Sequence, residues 1–291
     1  MISIAIVNYK TLEITLNTIK SVLEKTKNVE YEIIVIDNAS GAEEARLLEG
    51  ACRELSGVSV HTNATNLGFG KANNQAIKMA KRDYIALLNS DTELTTDSFS
   101  KAIAYLEENP KVGALGCRLI TPDGKLDQGC RRGFPTPKAS LFYFLKAHKW
   151  LNRPELDIYK LSHLDEHKIC EVDMISGAFM VLPRKVIEEV GMLDERFFMY
   201  GEDIDWCYRI KEAGYKVVYN PNLGDVIHYK GASGKKRKFK TLYNFYEAMF
   251  LFYNKHYLKK YNFLVTICVY LGISLQFMVK LVWNYLPKKC E

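Results

Sequence analysis

Residues 2–7 form an unbroken apolar run flanked by polar positions, which predicts a strand buried on both faces. Residues 12–23 are amphipathic and predict a helix, and residues 32–36, ending at Asp37, predict a second buried strand. Ser40 and Glu43 have the spacing of a capping box, which predicts a helix running toward Leu55. Residues 58–61 read as a strand, 72–81 as a helix, and 84–88 as a strand ending in Asn89-Ser90-Asp91. Strand alternating with helix implies a parallel sheet with right-handed crossovers, and such sheets bind ligands beyond the carboxyl ends of their strands. Asn8, Asp37, Asn38, Asn66 and Asp91 stand at those ends and are expected to converge on one crevice.

Past Asp91 the alternation fades. Residues 112–120 predict one strand, Thr121-Pro122-Asp123-Gly124 a turn, and 131–170 an irregular lip or insertion. A helix is expected after Val181 with Pro183 in its first turn, and another over 202–213, closed by Gly214. Residues 216–219 read as a strand and 239–257 as an aromatic-rich helix. At 291 residues, one α/β domain over 1–230 with a helical extension over 231–291 is the expected organisation.

Charge sharpens that division. Residues 1–229 carry 28 Lys and Arg against 32 Asp and Glu, whereas 230–291 carry 12 against 2, so a basic partner surface is expected in the C-terminal fifth alone. The seven cysteines are widely spaced and form no CxxC pair, which predicts reduced thiols in the cytoplasm. Met1 leads straight into a strand pattern, so no signal peptide is expected.

The first strand is followed by Asn8-Tyr9-Lys10-Thr11, where a dinucleotide-binding turn needs GxGxxG, and no Walker lysine loop occurs. A nucleotide site built from side chains remains. Val7-Asn8-Tyr9, Asp37-Asn38-Ala39-Ser40, Asn66-Leu67-Gly68-Phe69-Gly70 with Asn73-Asn74, and Leu87-Leu88-Asn89-Ser90-Asp91 follow in order. Gly191-Met192-Leu193-Asp194-Glu195-Arg196-Phe197-Phe198, Tyr200-Gly201-Glu202-Asp203-Ile204-Asp205 and His228 come later. In these motifs the chain resembles the family 2 glycosyltransferases, with the closest likeness to their rhamnosyltransferase-like branch.

The resemblance implies a GT-A fold, a metal-dependent donor site and an inverting mechanism. By it, Asp37 accepts a hydrogen bond from the pyrimidine base, and Asn8, Asn66, Gly68 and Asn74 line the nucleoside pocket. Asp91 matches the last position of the DxD motif that holds Mg²⁺ or Mn²⁺ against the diphosphate. The first position is Asn89, an amide and a weaker ligand for a hard cation. His228 matches a position completing the metal site, and an imidazole favours manganese. Asp203 matches the general base. Independently, a helix start favours its ionised form, while Glu202 and Asp205 are expected to raise its pKa. The implied donor is a dTDP- or UDP-sugar, first dTDP-L-rhamnose or else a UDP-hexose, and the implied acceptor a lipid-linked saccharide of bacterial cell-surface polysaccharide. The processive QxxRW motif is absent after the Glu-Asp pair, so one sugar per encounter is expected.

Two rivals stand beside this reading. One is a non-catalytic nucleotide-sugar-binding module, favoured by Asn89 alone. The other is nucleic-acid binding through Lys235-Lys236-Arg237-Lys238-Phe239-Lys240, a basic run without any recognised nucleic-acid motif, so no nucleic-acid partner is expected. Residues 263–279 form a 17-residue uncharged run, about 25 Å as a helix and short of a ~30 Å hydrocarbon core. With Trp283, Tyr285, Lys288 and Lys289 beyond it, a helix in the interface of the anionic inner membrane face is expected in preference to a spanning one. A buried helix packed on the catalytic domain or in a homodimer is the alternative.

Overall fold

The computed structural model describes residues 1–151, 153–229 and 238–285, so Lys235, Lys236, Arg237, Lys288 and Lys289 lie outside the described residues. The first part follows the expected alternation: β1 (Ile2–Asn8), α1 (Leu12–Lys25), β2 (Tyr31–Asp37), α2 (Ala42–Cys52), β3 (Val58–Thr62), α3 (Phe69–Met79) and β4 (Tyr84–Asn89). Because every crossover is a helix, β3, β2, β1 and β4 are parallel neighbours. Ile4, Ile6, Ile33 and Val35 are completely buried between the helical layers. The registers set Asn8 beside Asp37 and Val7 beside Asn89, which brings the polar strand ends together.

The second part is built from shorter pieces. They are β5 (Thr92–Leu94), α4 (Ser98–Glu108), β6 (Val112–Gly116), β7 (Arg118–Ile120), β8 (Arg131–Arg132), α5 (Pro137–Leu145), α6 (Ala147–Trp150), β9 (Cys170–Glu171), β10 (Met174–Ile175) and β11 (Phe179–Pro183). Then come α7 (Arg184–Val190), α8 (Glu202–Glu212), β12 (Lys216–Tyr219), β13 (Asp225–His228), α9 (Lys238–His256) and α10 (Phe263–Tyr285). The main sheet runs β3-β2-β1-β4-β11-β6-β12-β9, with β11 antiparallel to both β4 and β6. A small sheet, β5-β13-β7, sits beside it, and β8 pairs with β10. This is the expected α/β architecture of a mostly parallel sheet with flanking helices.

Three local expectations are corrected. The strand read over 112–120 breaks at Cys117, and its halves join different sheets. Ser40 does not cap α2, whose N-cap is Gly41 without any side-chain cap bond. Ala39 takes a left-handed φ of +68°, and the Ser40 hydroxyl accepts instead from the Lys10 backbone N–H at 2.8 Å. Pro183 ends β11 and caps α7, so a strand occupies 179–183.

The C-terminal extension is not uniform. Ala248, Phe252, Tyr253 and Tyr257 belong to the main hydrophobic core, so α9 is part of the body. α10 lies antiparallel along α9 through Tyr246–Phe277 and Phe250–Tyr270 ring contacts. Its outer face is bare: Leu264 is 71% exposed and Trp283 74%.

Candidate active site

Asn8, at the end of β1, is fully buried, and both ends of its amide are taken inside the protein. Nδ2 donates to Asp37 Oδ1 at 2.7 Å and also lies 3.1 Å from Ser40 Oγ and 3.2 Å from Glu44 Oε1. Oδ1 accepts from Thr15 at 2.7 Å and Thr11 at 3.0 Å. Asn8 therefore fixes Asp37, with both ends of its amide bonded within the protein. Asp37 is also fully buried and accepts the Ser40 backbone N–H at 3.2 Å. Above this pair Tyr9, Lys10, Ala39 and Ser40 keep accessible surface.

Asn38 is the hub of the neighbouring loop. Its Oδ1 accepts from Leu67 N at 3.0 Å and Asn63 Nδ2 at 3.2 Å, and its Nδ2 donates to Asn66 Oδ1 at 3.1 Å and to the Gly68 carbonyl at 3.2 Å. Asn66 Oδ1 also accepts from Gly68 N at 2.9 Å. Gly68 has φ +88°, and a Cβ there would lie 2.4 Å from the Phe198 carbonyl, so the loop docks only as glycine. Asn74 is buried and spans to the 193–195 segment, donating to Leu193 O at 2.8 Å and Glu195 Oε1 at 3.1 Å and accepting from Leu193 N at 3.1 Å. Its amide is a clamp between α3 and that segment.

At the end of β4 the structure brings Asn89, Asp91 and His228 together. β13 pairs with β5 so that His228 faces Thr92, and its Nε2 sits 3.4 Å from Asp91 Oδ1 and 3.5 Å from Asn89 Nδ2. Its Nδ1 lies 2.8 Å from Asp127 Oδ2, a buried carboxylate that no sequence pattern singled out. Such a carboxylate fixes the tautomer and leaves Nε2 for a cation. Burial opposes a charge on His228, but the bonds to Asp127 and Asp91 outweigh it and push the imidazole up to about 9. Asn89 Oδ1 is buried without a hydrogen-bond partner. A carboxylate, an imidazole and a free amide oxygen suit a divalent cation. No three His, Cys, Asp or Glu side chains among the described residues form such a group, so further ligand positions would fall to phosphate oxygens.

Asp203 stands in the first turn of α8, after Tyr200 and Gly201 with left-handed φ of +72° and +85°. Its Oδ2 accepts from Gly177 N at 3.4 Å and its Oδ1 from Ile204 N at 2.8 Å. The neighbouring residue, Ala178, accepts the Asn89 backbone N–H at 3.1 Å. One bend over 176–178 thus links the cation corner to Asp203. Arg132 comes from the opposite side, donating to the Tyr159 hydroxyl at 3.1 Å with its Nε unpartnered. Burial opposes its charge, and Tyr159 and Asp203 sustain it. Arg132, Tyr159 and the 176–178 bend have no motif in the sequence.

The acidic neighbours of Asp203 separate. Glu202 is the raised carboxyl, pushed up to about 8 by burial first and then by the Asp203 charge. Asp205 is held low despite complete burial, by His256 Nε2 at 2.7 Å, Lys255 Nζ at 2.6 Å and Arg209 Nε at 2.9 Å. It anchors α9 to α8, its charge compensated by these partners.

The family model described as Glycosyl transferase family 2 matches residues 3–191. The chain is 29% identical over 220 residues to the rhamnosyltransferase WbbL of Escherichia coli, covering 72% of this chain and 78% of that one. It is 26% identical over 196 residues to an N-acetylglucosaminyl-diphospho-decaprenol L-rhamnosyltransferase of Mycobacterium tuberculosis, covering 64% of this chain and 63% of that one. Against a longer curated relative it spans only 25% of that protein's length. Among solved structures, GalNAc-T7 with UDP, GalNAc and Mn²⁺ shares the fold at a TM-score of 0.61 and 18% identity, over 81% of this chain and 44% of that one.

Proposed function

Because the chain belongs to glycosyl transferase family 2, in its rhamnosyltransferase-like branch, we propose that it transfers one sugar, with inversion, from a nucleoside-diphosphate sugar to a hydroxyl of a lipid-linked saccharide. The 176–178 bend supports the reading, because two successive residues of it, Gly177 and Ala178, bond to Asp203 and to the backbone of Asn89. The acceptor oxygen bonds to the anomeric carbon while the bond to the β-phosphate oxygen breaks, and Asp203 takes the acceptor proton. The Gly177 and Ile204 N–H groups aim that carboxylate. Asp91, His228 and the free Asn89 oxygen would hold a divalent cation, Mn²⁺ before Mg²⁺, whose charge offsets the departing diphosphate. The names of the relatives make dTDP-L-rhamnose the first donor to try.

The acceptor's lipid sets a place for the enzyme, on the cytoplasmic membrane face. Within α10 the 22-residue stretch Phe263–Asn284 has mean hydropathy 1.9 and is long enough to cross a membrane by length and composition. Its Ile273, Thr266 and Phe277 side packs along α9, which supports a helix lying in the interface with its Leu264 and Leu275 side toward lipid. Nucleotide sugars should be screened with Mn²⁺ by thermal shift and then for transfer, since a ligand bound only by the folded state raises the melting temperature. A donor that stabilises the protein and is consumed with a suitable acceptor supports the reading. Stabilisation without turnover on any acceptor would make it a binding module, and no response to any nucleotide sugar would remove the donor site.

A further inference from the structure

Residues 131–154 contain six Lys and Arg and no Asp or Glu. The chain-wide balance hides this run, which corrects the expectation of a basic surface in the C-terminal fifth alone. The structure then divides it. Arg131 and Arg132 point inward, while Lys138, Lys146, Lys149 and Arg153 are exposed on α5, α6 and the turn beyond. Between these cations the same lip exposes large apolar side chains: Leu141, Phe144, Leu145 and Leu151, and Trp150 at 85%. A soluble surface rarely gathers so many apolar groups in one short segment without a partner.

We infer that this lip is a second membrane contact, seated in the interface of an anionic bilayer beside the acceptor entrance. Apolar side chains interleaved with lysines, and a tryptophan at the rim, match headgroups above acyl chains. A second copy of the chain is the poorer occupant, because a two-fold contact sets the patch against itself and so lysine against lysine. The lip is also tied to the other apolar surface. Phe134 at its root packs on Tyr208 of α8 at 4.8 Å between ring centres, and Tyr208 packs on Phe252 of α9 and on Tyr257 just beyond it, in the turn that leads to α10. Two attachment points on either side of α8 would orient the enzyme as well as hold it, with Arg132 and Tyr159 leading from the lip to Asp203. The membrane contact of the lip rests on the proposed membrane setting but not on the chemistry.

The three tryptophans make the test internal. Trp206 is fully buried, so Trp283→Phe leaves Trp150 as the exposed reporter, and Trp150→Phe leaves Trp283 of α10. In vesicles of phosphatidylglycerol with brominated acyl chains, Trp283→Phe protein should lose most of its Trp150 emission and shift it to the blue. The double variant should hardly respond. Replacing Lys146 and Lys149 by Gln should weaken binding to these vesicles by about 30-fold at low salt. Quenching of Trp283 without quenching of Trp150 would overturn the second contact and leave the α10 reading standing, while silence of both would remove the membrane altogether. Concentration-dependent dimers in lipid-free buffer that Leu141→Ser and Leu145→Ser dissolve would assign the lip to a second copy, which also overturns the proposal.

Discussion

The two halves of the candidate site, at the ends of β1 and β2 and across the 176–178 bend, are built on opposite electrostatic plans. Around β1, β2 and the Asn66 loop, Asn8, Asp37, Asn38 and Asn66 bond to one another and to the backbone. Across the 176–178 bend, Asn89 Oδ1, Arg132 Nε and Glu202 Oε2 are buried without partners, and His228 sits between two carboxylates. A fully satisfied polar network is rigid and holds one shape, whereas unpartnered buried groups are costly unless something else completes them. Shape is thus provided by the first region, and unspent bonding capacity by the second.

The sharpest way to test that division is Asp203→Asn, which removes proton acceptance but little volume. Transfer should fall on the order of 10²–10⁴-fold with donor binding intact. A variant transferring at the wild-type rate would move the base elsewhere. Asp127→Asn should be milder, raising the Mn²⁺ concentration needed for half-maximal activity about 10–100-fold, because it frees the orientation of His228. An unchanged metal titration would make Asp127 structural only.

On the other side the loss should appear in stability. Asn8→Ala should lower the unfolding free energy by about 1–3 kcal/mol in denaturant melts without nucleotide, since it leaves buried partners unpaired. Loss of donor affinity with unaltered melting would return Asn8 to a ligand-facing place. The smallest effect is expected at Glu202. Its folded pKa, about 8, lies above the ordinary 4.5, so its share of stability is complete below pH 4.5 and is lost as pH rises through 8. Glu202→Gln should flatten the decline of melting temperature between pH 6 and 9, and an unchanged profile would place the decline on another group.

The same two regions differ in how far they could be read in advance. Buried parallel strands are continuous apolar runs, so β1, β2 and β4 were legible to within a residue or two, as were the polar groups at their ends. The pieces holding His228, Arg132 and Gly177 are two to five residues long, too short to display a period. α4 was legible and passed over: Asp97 caps it, accepting from Ser100 N, and Phe99, Ala102, Ile103 and Leu106 have helical spacing. The capping box failed because a left-handed Ala39 turned Ser40 away from the helix, a backbone choice that composition does not announce. Asp127 became legible only once His228 needed a partner for its second nitrogen.

The small sheet has a consequence in time. His228 meets Asp91 only when β13, 133 residues after β5 by its first residue, slides between β5 and β7. Synthesis runs from the N-terminus and domains organise as they emerge, while contacts between distant segments form late. On the ribosome the nucleotide-facing strands can therefore associate well before the histidine exists. Of the residues proposed to react or to hold a cation, Asp203 and then His228 are the last to leave the tunnel. Arrested chains ending before residue 225 are accordingly expected to lack metal-dependent donor hydrolysis that chains with β13 exposed possess. Assembly order thus delays reactivity until the molecule is nearly whole.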